Sequence, residues 1–206
     1  MTHGGLQTGS GGSTSRSLIR RAAANDPVAW QRLSQVYGPL VYQWCRHCSL
    51  QPDDAADVVQ EVFRSLARSL GSFRREQPGD SFRAWLWTIT RNKLRDHHRR
   101  AQQGPQAVGG SAAHLQMQQL PDTAPEDTDD HNRQNVRSEL ARRALDLMQQ
   151  DFEERTWQAF WKTAVEQKTA PHAAEELGIS VAAVYMAKSR VLRRLREELD
   201  GLDLLE

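Results

Sequence analysis

Cys45 and Cys48 are the residues of this 206-residue chain best suited to hold a metal or exchange electrons. Their CxxC spacing occurs in zinc sites and in thiol–disulfide redox sites. A tetrahedral zinc site needs four ligands, and the sequence offers no second pair of cysteines beyond these two and His47. Both cysteines continue the apolar spacing of a helix, so we predict buried, reduced thiols, as expected in the cytoplasm. Thiol sensing stays open as an alternative.

Asp96, His97 and His98 form a second group of metal-binding residue types. Adjacent side chains on a helix point about 100° apart, so this run does not surround one ion by itself. The sequence also has no glycine-rich phosphate loop and no local Ser/His/Asp signature of a hydrolase. We therefore expect no enzymatic activity, no catalytic residue, no bound metal and no cofactor.

Basic residues are concentrated in two short stretches. The formal net charge of +1 conceals +7 over residues 1–104, −4 over 105–135 and −2 over 136–206. Six Lys or Arg residues and one acid lie within 83–100, and five with no acid lie within 188–196. Two cationic stripes, one in each half, indicate contact with a polyanion at two places. The alternative for either stripe is a solvated helix face.

Helical periodicity accounts for the elements that carry these stripes. Asp26 and Pro27 are typical of a helix start, and we expect a kink or short break in that helix at Gly38-Pro39. A second helix follows Pro52, and a third is expected over about 81–100. No alternation of period two is long enough for a sheet, so the predicted fold class is all-α.

Composition divides the chain into two small helical domains. We expect a disordered tail at 1–17, a domain at 18–100, a flexible linker at 101–134 and a helix-turn-helix domain at 135–200. The linker is poor in aromatic and β-branched residues, so it is not expected to contribute to a core. No run approaches the roughly 18 apolar residues of a membrane span, which excludes membrane insertion.

The most specific pattern is HAAEELGISVAAVYMAKSRVLRRL. A short helix, a turn at Gly178 and a second helix capped by Ser180 form the pattern of a helix-turn-helix. Small residues at the start of the second helix suit the major groove, about 12 Å wide, and the basic residues downstream suit phosphates. A plain helical hairpin is the alternative.

A resemblance to a known family is carried by DDAADVVQEVF, by SFRAWLWTITRNKLRDHHRR and by the distal helix-turn-helix. These segments resemble conserved regions two and four of the sigma-70 family, in its short extracytoplasmic-function (ECF) group of bacterial sigma factors. The resemblance covers about residues 20–100 and 135–200. It implies a cytoplasmic sigma factor that binds core RNA polymerase and promoter DNA, and it leaves room for an anti-sigma factor as a further partner.

The resemblance also implies three sets of site residues. It assigns contact with a coiled coil in the largest polymerase subunit to Asp54, Asp57, Gln60 and Glu61. It assigns recognition and melting of the minus-ten element to Trp87, Arg91, Asn92, Lys93, Arg95, Asp96, Arg99 and Arg100. We expect Trp87 to lie off the apolar stripe, where a base can stack, and Trp85 to lie in the core. The resemblance assigns contact with the minus-thirty-five element to Ala182, Ala183, Tyr185, Met186, Lys188, Ser189, Arg190, Arg193 and Arg194.

The linker has to bridge the two promoter elements. About 32 flexible residues have a root-mean-square span near 30 Å and reach at most about 110 Å. Elements about 25 base pairs apart are separated by about 85 Å. We therefore expect polymerase to hold the linker extended through its active-site channel, with the acidic stretch 122–130 inside.

Two other functions remain compatible with the sequence. One is a stand-alone helix-turn-helix regulator that binds duplex DNA tightly without polymerase. The other is a helical adaptor whose basic stripes are incidental, in which reversing the charges of Arg91 and Arg99 would leave nucleic-acid binding unchanged.

Overall fold

The structure is a computed structural model that describes residues 17–73, 81–103, 120–125, 129–199 and 202. Its described residues form helices and turns and no strand, which confirms the all-α prediction. The predicted tail up to residue 16, residues 74–80 between the second and third predicted helices, and much of the predicted linker (104–119 and 126–128) lie outside the described residues.

The N-terminal half contains four helices: α1 (Leu18–Ala23), α2 (Pro27–His47), α3 (Pro52–Ser69) and α4 (Phe82–Gln103), with a short 3-10 turn at Leu70–Ser72. The Asp26 carboxylate accepts hydrogen bonds from the backbone N–H groups of Val28 and Ala29, as its capping position predicts. The expected break at Gly38-Pro39 is absent, because α2 runs unbroken through Pro39. A proline removes one backbone hydrogen bond, and burial of Leu40 and Val41 keeps the helix in place.

Aromatic side chains join α2 to α4 in the core of this half. The Trp44 and Trp87 rings meet edge to face at 5.3 Å between centroids, and Tyr37 meets Phe82 in the same way at 5.0 Å. Helix α3 packs against both α2 and α4. Helix α4 is therefore covered from two sides, which leaves only part of its circumference on the surface.

The C-terminal half contains α5 (Asp130–Met148), a 3-10 turn at Gln149–Asp151, α6 (Glu154–Ala164), α7 (Ala170–Leu177) and α8 (Val181–Glu198). Helix α7 ends at Gly178, whose φ of +62° lies in the left-handed region that glycine adopts readily. Ser180 caps α8 by accepting a hydrogen bond of 3.1 Å from the Ala183 N–H. A small core of alanines and Val184 fills the space between α6, α7 and α8.

The two halves share one hydrophobic core. Buried residues from α1 to α4 and from α5, α6 and α8 belong to a single cluster, and α2 packs directly on α5. Two residues of the predicted linker also belong to it: Leu120 is 8% exposed and Ala124 is 1% exposed. The expectation that this segment contributes nothing to a core is therefore wrong at these two positions.

Among the described residues, no helix is long and apolar enough to cross a membrane. The same part of the chain contains no group of His, Cys, Asp and Glu side chains arranged to hold a metal ion.

Candidate nucleic-acid interface

The polar face of α3 presents an acidic and amide surface. Asp57 and Gln60 are exposed, whereas Asp54 and Glu61 are partly covered by α4. Gln60 accepts a hydrogen bond of 3.2 Å from Arg64 on the same face. The four residues of the predicted polymerase-binding set thus lie together along one side of a single helix.

Basic side chains of α4 lie against two of these acids. The Glu61 carboxylate is 3.7 Å from the Arg100 guanidinium and 4.0 Å from the Lys93 ammonium, and the Asp54 carboxylate is 3.9 Å from His97 Nε2. Pairs this exposed contribute little to stability and exchange partners readily. The acidic surface of α3 and the basic surface of α4 are therefore adjacent and partly neutralise each other.

The expectation that Trp87 lies off the apolar stripe, open to a base, is wrong. Its side chain is 1% exposed and packs on Trp44 of α2. Helix α2 covers a side of α4 that lies outside the predicted apolar stripe and that was expected to face solvent. Trp85, expected in the core, is instead half-buried at the edge, with its ring centroid 5.0 Å from that of Phe73. Phe73 and Trp85 lie on either side of residues 74–80 in the sequence, and Phe82 between them is fully buried.

The remaining predicted minus-ten residues lie toward the C-terminal end of α4. Asn92, Arg99 and Arg100 are exposed, and Lys93, Arg95 and Asp96 are half-buried. Arg99 donates a hydrogen bond of 2.8 Å to Asp96. This end of α4 presents more cations than anions to solvent, as contact with a nucleic-acid backbone requires.

Arg91 is the exception in this set, because the predicted linker covers it. Its guanidinium is 18% exposed and forms an ion pair with Asp122, whose own carboxylate is 94% exposed. Leu120 and Ala124, on either side of Asp122, are buried in the core. Asp122 of the predicted linker is therefore paired with Arg91, a cation that was expected to contact DNA.

Helix α8 presents the third predicted set. Tyr185 is 61% exposed and Met186 is 62% exposed. Six further members are exposed or half-buried on the same helix: Ala182, Ala183, Lys188, Ser189, Arg190 and Arg193. Arg194 differs, since its guanidinium lies 3.5 Å from the buried Glu198 carboxylate. The exposed part of α8 is thus its N-terminal and middle turns, which is the part a groove-binding helix uses.

A cluster of charged side chains between the halves was not predicted. Glu198, at the end of α8, is 1% exposed and pairs with Arg21 of α1 and Arg32 of α2. Arg32 also binds both carboxylate oxygens of Asp151, at 2.8 and 2.5 Å. The sequence held a signal for this cluster: Glu198 follows Val191 and Leu195 at helical spacing, which places an acid on the apolar stripe.

The two cysteines are poor redox sensors in this setting. Cys45 is fully buried and Cys48 is half-buried, and they are not joined by a disulfide. Burial raises the pKa of the Cys45 thiol to about 12 and that of Cys48 to about 11. Reactive cysteines have lowered pKa values and exposed sulfurs, so these surroundings favour the structural interpretation.

A carboxylate at the turn side of α7 is held strongly in its charged form. Glu176 accepts hydrogen bonds from Lys162 of α6 and from Lys168, and these two contacts lower its pKa to about 2. The contacts fix the short α7 against α6. The helix pair that supports α8 is therefore held by ion pairs as well as by the small alanine core.

Comparison with known proteins identifies relatives along most of the chain. Residues 33–104 match the family model described as Sigma-70 region 2. The chain is 30% identical over 186 residues to the RNA polymerase sigma factor CnrH of Cupriavidus metallidurans, covering 90% of this chain and 94% of that protein. It is 29% identical over 185 residues to the ECF RNA polymerase sigma factor ShbA of Streptomyces griseus subsp. griseus, covering 87% and 92%. A solved structure of CnrH in complex with the cytosolic domain of CnrY shares 28% identity, covers 86% of this chain and 92% of that one, and gives a TM-score of 0.35.

Proposed function

Because this chain belongs to the ECF group of the sigma-70 family, and so directs transcription initiation by binding core RNA polymerase and promoter DNA, we propose that three of its surfaces divide this work. The polar face of α3 binds polymerase, the C-terminal end of α4 holds the minus-ten element, and the exposed turns of α8 read the minus-thirty-five element. The observation that carries this proposal is that each of the three helices buries an apolar face and keeps members of its predicted site exposed, among them Asp57, Arg99 and Arg190.

The α3 surface suits a partner helix rich in Arg and Gln, as expected for the coiled coil of the largest polymerase subunit. Asp57 and Gln60 are exposed and lie three residues apart, so one partner side chain can contact both. Glu61 and Asp54 add acceptors, whose present contacts with Arg100 and His97 of α4 are long and partly exposed to solvent. Docking of a basic partner helix would exchange these pairs for new ones at little cost.

The α4 surface suits a melted strand. Arg95, Arg99 and Arg100 supply cations for the phosphates, and Asn92 supplies an amide that can donate to or accept from a base edge. Stacking on an aromatic side chain offsets the lost base stacking by about 1–3 kcal/mol per base. Because Trp87 is buried, Trp85 and Phe73 are the aromatic residues placed for that role.

The α8 surface suits the major groove of duplex DNA. The side chains placed to contact base edges are Tyr185, Met186 and Ser189. Arg190 and Arg193 lie one and two helical turns beyond Met186 and are suited to contact phosphates. Ser180 and Gly178 fix the angle at which α8 leaves α7. Binding through phosphates should weaken steeply with added salt.

The chain contributes recognition rather than chemistry in this scheme. We propose that it has no catalytic residue of its own and works in the cytoplasm, where polymerase carries out nucleotide addition. We also propose an anti-sigma partner, since its relative CnrH was solved in complex with the cytosolic domain of CnrY.

Reconstituted transcription with bacterial core polymerase and a promoter library tests the three assignments. We expect Asp57→Asn to weaken core binding several-fold, with Asp53→Asn on the same helix as the matched control. We expect Arg99→Glu and Arg190→Glu to leave core binding intact and to reduce promoter-directed transcripts, more strongly as salt rises. Arg155→Glu, an exposed charge reversal on α6, is the control for both.

Two outcomes would contradict the proposal. If the chain neither binds core polymerase nor changes where transcripts begin, the assignments have no basis. If it binds duplex promoter DNA tightly and specifically without polymerase, a stand-alone regulator explains the surfaces better.

A further inference from the structure

The cluster between the halves is built from residues far apart in the chain. Glu198 of α8 contacts Arg21 of α1, and its carboxylate lies 3.6 Å from the Arg32 guanidinium of α2. Arg32 holds Asp151, which follows α5, through two hydrogen bonds, and this contact raises the pKa of the guanidinium. The N-terminal half therefore supplies the cations, and the C-terminal half the acids, of an ion-pair network that crosses the boundary.

Glu198 is the most enclosed member of the network. Its side chain is 1% exposed, whereas those of Arg21 and Asp151 are 23% and 26% exposed. An ionised carboxylate in such surroundings needs its cationic partners, because burial without them is costly. Arg194 of α8 itself lies 3.5 Å from the Glu198 carboxylate, but the contacts with Arg21 and Arg32 exist only while α8 lies against α1 and α2.

Apolar and polar contacts close around the network. Leu18 and Val36 of the N-terminal half and Met148 and Leu199 of the C-terminal half line one small gap beside it. The Tyr37 hydroxyl donates a hydrogen bond of 3.3 Å to the Leu202 carbonyl. Leu202, which follows α8 in the sequence, is therefore fixed to α2 as well.

This closed arrangement does not fit simultaneous contact with two promoter elements. A compact chain of this length has a radius of gyration of about 17 Å, which corresponds to a diameter of about 45 Å. Two elements about 25 base pairs apart are separated by about 85 Å. The halves must separate before α4 and α8 can occupy both elements of one promoter.

We infer that Glu198, with Arg21 and Arg32, is a latch that holds the free chain closed and that opens when the chain enters polymerase. This inference rests on the proposed division of the two promoter contacts between α4 and α8. Ion pairs suit a latch, because on opening every charge of the network regains water, whereas removing one partner in the closed form leaves the other charge buried and uncompensated. The exposed turns of α8 stay uncovered in the closed form, so the latch controls the reach of the chain and leaves the reading surface of α8 intact.

Small-angle X-ray scattering of the free full-length chain tests the latch. We expect the wild-type radius of gyration to stay near the compact value and Glu198→Gln to increase it by about 5 Å or more. Glu197→Gln changes the same charge on the neighbouring residue and should leave the radius unchanged. An open chain should also bind core polymerase several-fold more tightly, because no closed population competes with binding.

Three results would overturn the latch. The first is a wild-type chain that is already expanded, and the second is a Glu198→Gln chain with the wild-type radius. Circular dichroism checks that each variant keeps its helices. If Glu198→Gln loses its helices, Arg21→Gln tests the same ion pair from the N-terminal half. The third contradicting result is an Arg21→Gln chain with the wild-type radius of gyration. Scattering is measured without polymerase or DNA, so failure of the latch and failure of the promoter assignments are distinguishable.

Discussion

Trp85 and Trp87 lie two residues apart on α4 and have opposite surroundings. Trp87 fills the space between α2 and α4, while Trp85 lies half-buried beside Phe73 at the edge of the domain. Their residue types alone make them equivalent candidates for stacking on a base. Only the position of α2 distinguishes a structural tryptophan from one that is accessible to nucleic acid.

We predict that Trp87→Ala destabilises the chain by about 3–5 kcal/mol, because a fully buried aromatic side chain is lost. Trp85→Ala should cost clearly less stability and should reduce promoter opening in the presence of polymerase. Urea unfolding and permanganate footprinting of the melted strand measure the two effects. A Trp87→Ala chain of wild-type stability that opens promoters poorly would restore Trp87 as the stacking group.

Glu176 should make the α6–α7 pair sensitive to acid. Its pKa falls from 4.5 to about 2 on folding, so its stabilising contribution is complete above about pH 4.5 and is lost as pH falls toward 2. Between pH 4.5 and 2, we expect the stability difference between wild type and Glu176→Gln to shrink. Thermal unfolding across this range measures it, with Glu175→Gln, the exposed neighbour, as control. A difference that stays constant with pH would show that the ion pairs with Lys162 and Lys168 do not stabilise the fold.

At the scale of elements, α4 shows how packing on two sides decides a surface. Its N-terminal turns are enclosed by α2 and α3, and Leu86, Thr90 and Leu94 are all fully buried there. Its C-terminal end carries Arg99 and Arg100 on the surface. The same helix therefore anchors the N-terminal half and presents the cations that the minus-ten strand is proposed to contact.

Helix α8 depends instead on the turn before it. Ser180→Ala removes the cap that accepts from the Ala183 N–H, and we predict a loss of about 0.5–2 kcal/mol of unfolding free energy. Ser189→Ala removes the same hydroxyl from an exposed position on the same helix and should leave stability unchanged while altering contact with DNA. Urea denaturation followed by circular dichroism measures the first effect. Equal stability of the two variants would mean that the cap contributes nothing.

At the scale of the whole molecule, the charge distribution and the packing of the halves act together. The linker acid Asp122 pairs with Arg91, and Glu198 pairs with Arg21 and Arg32, so acids from the C-terminal side of the chain neutralise cations of its basic N-terminal half. The Glu198 contacts hold α8 against α1 and α2, and the Asp122 contact holds the linker against α4. The proposed contact of Arg91 with promoter DNA would require the DNA to displace Asp122.

The length of the predicted linker should be essential once polymerase is present. Removing half of residues 101–132 leaves about 16 residues, which reach at most about 55 Å and cannot bridge about 85 Å. We therefore predict loss of promoter-specific initiation with core binding retained. A Gly/Ser replacement of residues 104–119 at constant length is the control and should initiate normally. Normal initiation by the shortened chain in the same reconstituted assay would contradict the extended-linker hypothesis.

The sequence by itself determined the helices, several of their caps and the family. Apolar periodicity, the Asp26 and Ser180 caps and the Gly178 turn are local features, so each is readable without knowing the rest of the fold. Only the tertiary structure decided that Trp87 is buried, that Asp122 covers Arg91 and that Glu198 joins the halves. These depend on which helices pack together, and partners 31 or 177 residues apart leave no signature in the local pattern that specifies a helix.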